Sequence, residues 1–249
     1  MFKGFFKFLF GLFRLAIILL VLILVFHTWV IKQVIIFSMS YQLGADVSIQ
    51  NIKMDWKNTG FEIQGLEIGN PYSFPKGRIA DIPLVIVSAD LTSIPEGKLR
   101  LKGLGVDLRE LQVMNVSRKG LNVLELKIFQ KSKEERSASS DRTGSGQHMP
   151  ELIIDEFVFS IGEIRYLDTS GPSLKETHFN AGIRGATYYD IRGTQDVVVI
   201  LIGEALKKMG FGYLESQFQR LPGKAVSSIS KKSNFLGQIL SVFSGDASK

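Results

Sequence analysis

The stretch KLRLKGLGVDLRELQVMNV, residues 98–116, decides the fold. Apolar and polar residues alternate along it, which is typical of a β-strand with one face buried and the other in water. The same period of two recurs in four further segments: 47–56, 61–68, 78–91 and 121–128. Because turn-forming residues separate these segments, the pattern predicts a mainly β module of antiparallel strands over residues 44–129.

The alternation slips by one residue inside several of these strands. The slips fall at Gln50–Asn51, Gly65, Gly103 and Gly162. A one-residue slip is the sequence trace of a β-bulge, which bends a strand and increases its twist. A row of bulges predicts a curved antiparallel sheet, either an open taco-like groove or a partial barrel. The alternative is that these are separate short strands, whose boundaries lie one or two residues from those assigned here.

The second half of the chain begins with a break in the pattern. Residues 130–150 are charged and then rich in serine and glycine, which predicts a flexible linker or long loop. Alternation resumes over 151–192, a second β segment. Apolar residues then recur at helical spacing over 195–219 and 224–243, so we expect C-terminal amphipathic helices over 195–243. Such helices either pack over the sheet or rest on a bilayer or over the mouth of a groove.

The N-terminal region has a membrane-like composition. From Leu15 to Val30 the chain has no charged residue, and the apolar texture continues to Phe37. Since about 20 apolar residues can cross a bilayer core, we predict a transmembrane anchor over residues 15–37. A cleaved signal peptide is the alternative, but its apolar core is usually shorter.

Basic residues before the apolar run set the expected orientation. Lys3, Lys7 and Arg14 precede it, and no acidic residue occurs before Asp46. Because positive charge favours the cytoplasmic side, residues 1–14 are expected to be a cytoplasmic or interfacial basic–aromatic segment. The β domain would then lie across the membrane.

Composition excludes several kinds of site. The chain has no cysteine and only three histidines, which rules out thiolate chemistry and a multi-histidine metal site. The net charge of +6 suits an anionic lipid surface. In the exported domain the aromatic residues lie in apolar alternation and not among clustered Lys and Arg, which argues against nucleic-acid binding. We therefore predict membrane lipids as partners, with no nucleic acid, no metal and no cofactor.

Catalytic signatures are also missing from the sequence. It contains no nucleophile elbow, phosphate-binding loop or zinc-protease motif. Asp155 and Glu156 are neighbours in a strand and point to opposite faces, so they cannot act together as acid and base. His178 is expected at the surface, and we expect no enzyme. Most other acidic residues are expected on the solvated face, including Asp46, Asp55, Glu62, Glu67 and Asp107.

Three short motifs follow one another between residues 44 and 126. They are Gly60 to Ile68 before Asn70-Pro71 and Phe74, then Asp90-Leu91 before Gly97 to Leu101, and finally Gly120-Leu121-Asn122. In this order, behind an apolar N-terminal segment, they resemble the N-terminal module of the AsmA family of bacterial envelope proteins. The resemblance covers roughly a third of the chain and could extend to 151–192.

The resemblance implies a short, membrane-anchored member of the AsmA/TamB-like, bridge-like lipid-transfer superfamily. Such a protein would sit in the bacterial inner membrane, with its N-terminus in the cytoplasm and a β-groove in the periplasm serving phospholipid movement to the outer membrane. Family members that bridge the periplasm are several times longer. This chain would therefore act with envelope proteins or with copies of itself.

The leading hypothesis is binding of lipid acyl chains in a β-groove, contributing to phospholipid transport or outer-membrane biogenesis. An apolar concave face would take the chains without polar recognition. The same residues would equally form a closed core. The alternative is therefore a non-enzymatic envelope assembly or scaffold protein with a filled β core that docks a partner. The expected lining residues are Ile63, Leu66, Leu99, Leu101, Val106, Leu108, Val113, Phe157 and Phe159.

Overall fold

The computed structural model describes residues 2–55, 59–90, 92–93, 98–129, 151–171, 173–210 and 224–225. Its elements, in chain order, are helix α1 (Phe2–Leu43), strands β1 (Ala45–Asp55), β2 (Gly60–Pro71), β3 (Arg78–Asp90), β4 (Lys98–Val116) and β5 (Gly120–Leu121), a 3₁₀ turn (Asn122–Glu125), strands β6 (Glu151–Asp168) and β7 (Lys175–Arg192), helix α2 (Thr194–Lys208) and strand β8 (Lys224–Ala225). The linker predicted for 130–150 lies outside the described residues.

The strands form one open, mixed sheet. Across the described residues the strand order is β1-β2-β3-β4-β6-β7-β8, and β5 pairs with β4. The mainly β prediction is confirmed, but the expectation of a purely antiparallel sheet is wrong because β4 and β6 run parallel. Alternation looks the same in parallel and antiparallel strands. A parallel pair only requires a long connection, and residues 117–150 supply it.

The fifth predicted strand is largely replaced by the 3₁₀ turn. Only Gly120 and Leu121 pair with β4. The fully buried side chain of Asn122 then accepts hydrogen bonds from the backbone N–H groups of Met114, at 2.7 Å, and Val123, at 2.9 Å. Because a buried amide is stable only with such partners, the chain turns here instead of extending.

One face of the sheet is apolar from β1 to β7, and we call it the apolar face. Cross-strand partners point to the same side of a sheet. One row of such partners runs Ile63, Val85, Val106, Phe159 and Ala186. The first four are buried members of a single hydrophobic cluster, and Ala186 packs against it. The opposite side, the polar face, carries the charged residues of the same strands.

Both helices contribute to this cluster. The last part of α1 runs back along β1, where Ile35, Ile36 and Met39 pack against the core. The Lys32 ammonium donates a 3.0 Å hydrogen bond to the carbonyl oxygen of Gln50 in β1. The final residues of the segment predicted as an anchor therefore lie against the sheet.

No helix in the described part of the chain combines the length and the apolar character required to cross a membrane. The anchor over residues 15–37 stays a prediction.

The C-terminal prediction is met in part. Helix α2 occupies Thr194–Lys208, inside the first predicted helical stretch. Lys224 and Ala225, at the start of the second stretch, instead pair with Tyr189 and Tyr188 as the short strand β8. The remainder of the predicted helices, 211–223 and 226–243, lies outside the described residues.

Each predicted slip moves the inward side chains from odd to even residue numbers or the reverse, and we call this a parity slip. The slips have two different structural origins. At Gly103 the slip is a register irregularity, because Ser88 pairs with Gly103 while Ala89 pairs with Leu101, and Lys102 is left over. At Gln50 and Gly65 there is no bulge, since the register of β1 with β2 is the same on both sides. There the alternation changes at the same level in both strands, so their pairing is not interrupted.

The slips at Gln50, Gly65 and Gly162 align across the sheet in what we call the parity line, whereas Gly103 lies off this line. The line crosses β1 to β4 and β6 at Gln50, Gly65, Pro83, Arg109 and Gly162. Gln50, Gly65 and Pro83 are level in register, as are Arg109 and Gly162, and the line steps by one residue between β3 and β4. At its centre Gly65 has a φ of +61°, and a Cβ there would come within 2.3 Å of the Gln50 side chain. On one side of the line Val106 is buried, and on the other side Val113, of opposite parity, is buried.

Candidate functional site: the apolar face and its closures

Eight of the nine residues expected to line a groove belong to the hydrophobic cluster of the apolar face or pack against it, and Leu99 is the exception. Val106 is paired with Phe159, Leu108 with Ile161 and Val113 with Tyr166, so the residues of β4 and β6 share one side. Seven of the nine are buried, Leu101 is half-buried against the cluster, and Leu99 is 36% exposed. The structure thus brings the predicted lining residues together, but most of their side chains are shielded from solvent. The buried seven are Ile63, Leu66, Val106, Leu108, Val113, Phe157 and Phe159.

The first residues of β4 and β6 are more accessible to solvent than the middle of these strands. Leu99 pairs with Leu152, and Leu101 pairs with Ile154. Leu99, Leu101 and Leu152 keep some contact with solvent, whereas Ile154 is 1% exposed. We call the part of the sheet formed by Leu99, Leu101 and Leu152 the Leu99 end. An apolar ligand could reach the apolar face from the Leu99 end.

An aromatic row crosses the floor of the apolar face. The rings of Phe157 and Phe159 stack with centroids 5.3 Å apart, and Phe159 stacks on Tyr188 of β7 at 5.9 Å. All three are buried. The sequence prediction missed Tyr188 because two register irregularities between β6 and β7 hide the alternation of β7. The doublet Tyr188-Tyr189 at the end of that strand was the available signal.

Helix α2 covers this aromatic row. The Tyr188 hydroxyl donates a 3.0 Å hydrogen bond to the Glu204 carboxylate of α2. Tyr188 is paired with Phe157 and therefore lies on the apolar face. The apolar side chains of α2 belong to the same hydrophobic cluster as the sheet. The β6–β7 part of the apolar face is thus occupied by a helix of the same chain.

The other end of the sheet is closed by a polar clasp. The Asn122 amide donates to the side-chain oxygen of Asn70, at 2.9 Å, and to the carbonyl oxygen of Gln112, at 3.1 Å. Asn70 in turn donates to the carbonyl oxygen of Pro75, at 2.8 Å. With its two accepted bonds, Asn122 uses its full hydrogen-bonding capacity. The turn after β2 and the turn after β4, distant in sequence, are thereby joined.

The polar face is held by ion pairs. Asp81, whose side chain is 10% exposed, lies 3.4 Å from Arg78 and 3.3 Å from Arg109. Near the parity line Arg165 pairs with Glu110 at 2.9 Å. Asp155 pairs with Arg100 at 2.9 Å, and its neighbour Glu156 is buried. These contacts are structural pairings across strands.

His178 and Asp107 are among the titratable groups of the polar face whose pKa values are shifted. The hydrogen bond that the His178 ring donates to the Glu163 carboxylate raises the pKa of His178, which also lies 3.1 Å from Glu176. His178 is exposed, as predicted. Asp107 was expected to be solvated but is half-buried, and this burial raises its pKa.

The arrangement suits binding of an apolar molecule more than polar chemistry. Across the described ranges, which stop at 129 and resume at 151, no three His, Cys, Asp or Glu side chains are grouped so as to hold a metal ion. The apolar face offers aliphatic and aromatic side chains, with the Tyr188–Glu204 pair as a polar contact at its covered edge. Such a surface recognises shape and hydrophobicity rather than a reacting group.

Neither the protein-family models, nor the curated proteins, nor the solved structures contain a match to this chain.

Proposed function

We propose that this protein binds lipid acyl chains on the apolar face of its sheet and contributes to phospholipid transport or outer-membrane biogenesis. In this proposal it is a non-enzymatic, AsmA-like protein of the bacterial inner membrane. Residues 15–37 supply the anchor, with the N-terminus in the cytoplasm and the sheet in the periplasm. Its partners are membrane lipids, together with envelope proteins or further copies of itself.

The observation that carries the proposal is the continuity of the apolar face. A single hydrophobic cluster extends from Val47 in β1 to Ile191 in β7. At a rise of about 3.3 Å per residue, β4 alone provides a path of about 60 Å. An extended acyl chain needs this kind of long apolar path, entered here from the Leu99 end.

The AsmA-like motifs gain a physical meaning in the same proposal. Asn70 of the first motif and Asn122 of the last are hydrogen-bonded to each other. Lys119, next to the last motif, donates to the carbonyl oxygen of Ser73 and stands over the ring of Phe74. Motif residues that look unrelated in sequence therefore share one structural task, which supports reading them as a unit.

A second candidate is favoured by one specific observation. Phe157 and Phe159 are 0% exposed, and α2 lies on their side of the sheet. A filled core of this kind supports the scaffold alternative, in which the protein docks an envelope partner and carries no lipid.

The experiment that separates the two is photocrosslinking in cells. A photoreactive amino acid is placed at Leu101, on the half-buried part of the apolar face, and at the exposed neighbour Lys102 as a matched control. Lipid adducts at Leu101 but not at Lys102 are expected for a lipid-binding face. Adducts with protein alone at both positions would favour the scaffold and end the lipid proposal.

A further inference from the structure

We infer that α2 is a displaceable cover, which occupies an acyl-chain site on β6 and β7 until lipid replaces it. This inference rests on the proposed function and assigns a second part of the apolar face to lipid. The site is the aromatic row Phe157, Phe159 and Tyr188, together with the flanking Ile154 and Ile191.

The burial of α2 indicates that it fills the site rather than merely bordering it. An ordinary surface helix buries one stripe, whereas a helix that is apolar on most sides lies inside a core. The buried residues of α2 point in several directions around its axis, and its exposed charges, Lys207 and Lys208, are confined to the last turn. The buried residues are Val197, Val199, Ile200, Ile202, Ala205 and Leu206.

The sequence of α2 makes it a weak helix on its own. The run VVVILIG from Val197 to Gly203 combines β-branched residues with a glycine, all of which lower helix propensity. The N-cap position, Gly193, provides no side-chain hydrogen bond. A short helix of this kind is stable mainly through its packing, so removing the contact with the sheet removes most of what keeps it folded.

Glycine residues with positive φ flank α2 at both ends. Gly193 has a φ of +89° and Gly210 a φ of +82°, conformations that glycine adopts without strain. The two glycines bracket the helix from Thr194 to Lys208. The N–H of Gly193 donates a 2.9 Å hydrogen bond to the carbonyl oxygen of Leu152, so α2 can pivot away from the sheet about this point while β7 keeps its pairing with β6.

Lipid is chemically suited to take the place of α2. The helix presents Val, Ile and Leu side chains, and an acyl chain offers the same kind of surface to Phe157 and Phe159. A polar contact is lost, the hydrogen bond from Tyr188 to Glu204. Glu204 regains hydrogen bonds in water, and the Tyr188 hydroxyl, which lies in the floor of the site, takes a lipid headgroup oxygen as its new acceptor.

The test uses the absence of cysteine from the chain. The full-length variant Ile202→Cys carries a single thiol at a buried position of α2, and Lys207→Cys carries one at an exposed position of the same helix. Each is purified in detergent, and its rate of maleimide labelling is measured with and without added phosphatidylethanolamine–phosphatidylglycerol mixed micelles. Each variant also carries the photoreactive residue at Leu101, so that lipid occupancy is read in the same sample.

The inference predicts a several-fold rise in labelling of Ile202→Cys when lipid adducts appear at Leu101, with no change for Lys207→Cys. Unchanged labelling of Ile202→Cys in a sample with lipid adducts would overturn the displaceable cover and leave the proposed function standing. Absence of lipid adducts in every sample would overturn the proposed function itself.

A second variant distinguishes competition between α2 and lipid from a purely structural role of the Tyr188–Glu204 hydrogen bond. Tyr188→Phe keeps the stacked ring and removes the hydroxyl that holds Glu204. If α2 competes with lipid, this variant yields more lipid adduct at Leu101 than the unmodified chain. If the contact only supports the fold, adducts fall or stay the same, and the inference is overturned.

Discussion

The two faces of the sheet are held together by different forces. On the apolar face, residues such as Val106 and Phe159 are buried by contacts that have no required direction. On the polar face, Arg165 and Asp81 are held by partners at defined atoms. The comparison teaches that contacts on the apolar face, apart from the Tyr188–Glu204 hydrogen bond, do not depend on particular partner atoms, whereas those on the polar face do. Four predictions test this difference, ordered from the largest expected effect to the smallest.

Truncation of the aromatic row gives the largest expected effect. Phe157→Ala removes a ring that is 0% exposed, and we expect a loss of about 3–5 kcal/mol in the free energy of unfolding because a cavity is left. The measurement is denaturant unfolding of the full chain followed by circular dichroism. Tyr72→Ala, at a 68% exposed ring, serves as control and should cost about 0.5 kcal/mol or less. Equal losses would show that Phe157 is not enclosed.

The second-largest effect is expected at the polar clasp. Its hydrogen bonds are directional, like the contacts of the polar face, but they are buried. Asn122→Ala leaves the N–H groups of Met114 and Val123 and the oxygen of Asn70 without their partner. We expect a loss of about 2–3 kcal/mol in the same unfolding experiment. Asn180→Ala, at an exposed position of β7, is the matched control and should be nearly neutral. An equally small loss for Asn122→Ala would mean that the clasp does not fix the turns.

The ion pairs of the polar face should contribute less. Asp81→Asn removes the charge shared by Arg78 and Arg109, whose side chains are 40% and 67% exposed. Because solvent screens such pairs, we expect a loss of about 0.5–1 kcal/mol at low salt. The difference from the unmodified chain should shrink at about 1 M salt, where the screening length is about 3 Å. A difference that does not depend on salt would contradict an electrostatic origin.

The smallest effect concerns protonation. Glu163 raises the pKa of His178 above its ordinary value of 6.5. Since the folded state holds the proton more tightly, the contribution of His178 to stability is present below pH 6.5 and is lost as the pH rises through the raised pKa. An NMR titration of the imidazole measures the shift. Glu163→Gln should return the pKa toward 6.5, and a larger return with Glu176→Gln would reverse the assigned order of causes.

Much of the apolar face could be predicted from the sequence. Alternation identifies Ile63, Val106 and Phe159 as inward residues because the side-chain period of a strand is fixed at two. The parity slips at Gly65 and Gly103 were also visible. Their structural origin was not visible. A slip can be read from the sequence of one strand, but whether it is a bulge depends on how that strand pairs with its neighbour.

The parts that could not be predicted depend on contacts between distant segments. The pairing of Glu110 with Arg165 joins residues 55 positions apart, and alternation does not distinguish a parallel neighbour from an antiparallel one. Helical spacing predicted α2 but left open whether it packs over the sheet or rests on a bilayer. Asn122 looked like part of a strand, because its structural role depends on Asn70 and Met114 and not on its own neighbours in the chain.

The parity line has a consequence for how a gene encoding this fold can change in length. In β1 to β4 and β6 the inward residues change parity where the strand crosses the line, as Val106 and Val113 do in β4. Loss of one codon at Gly162 would restore strict alternation in β6 and turn either Phe159 or Ile164 toward water. The neighbouring strands would keep their own offset, so a single deletion could not be absorbed by the sheet. Evolution should therefore place insertions and deletions of this protein in its turns and keep the lengths of its strands constant.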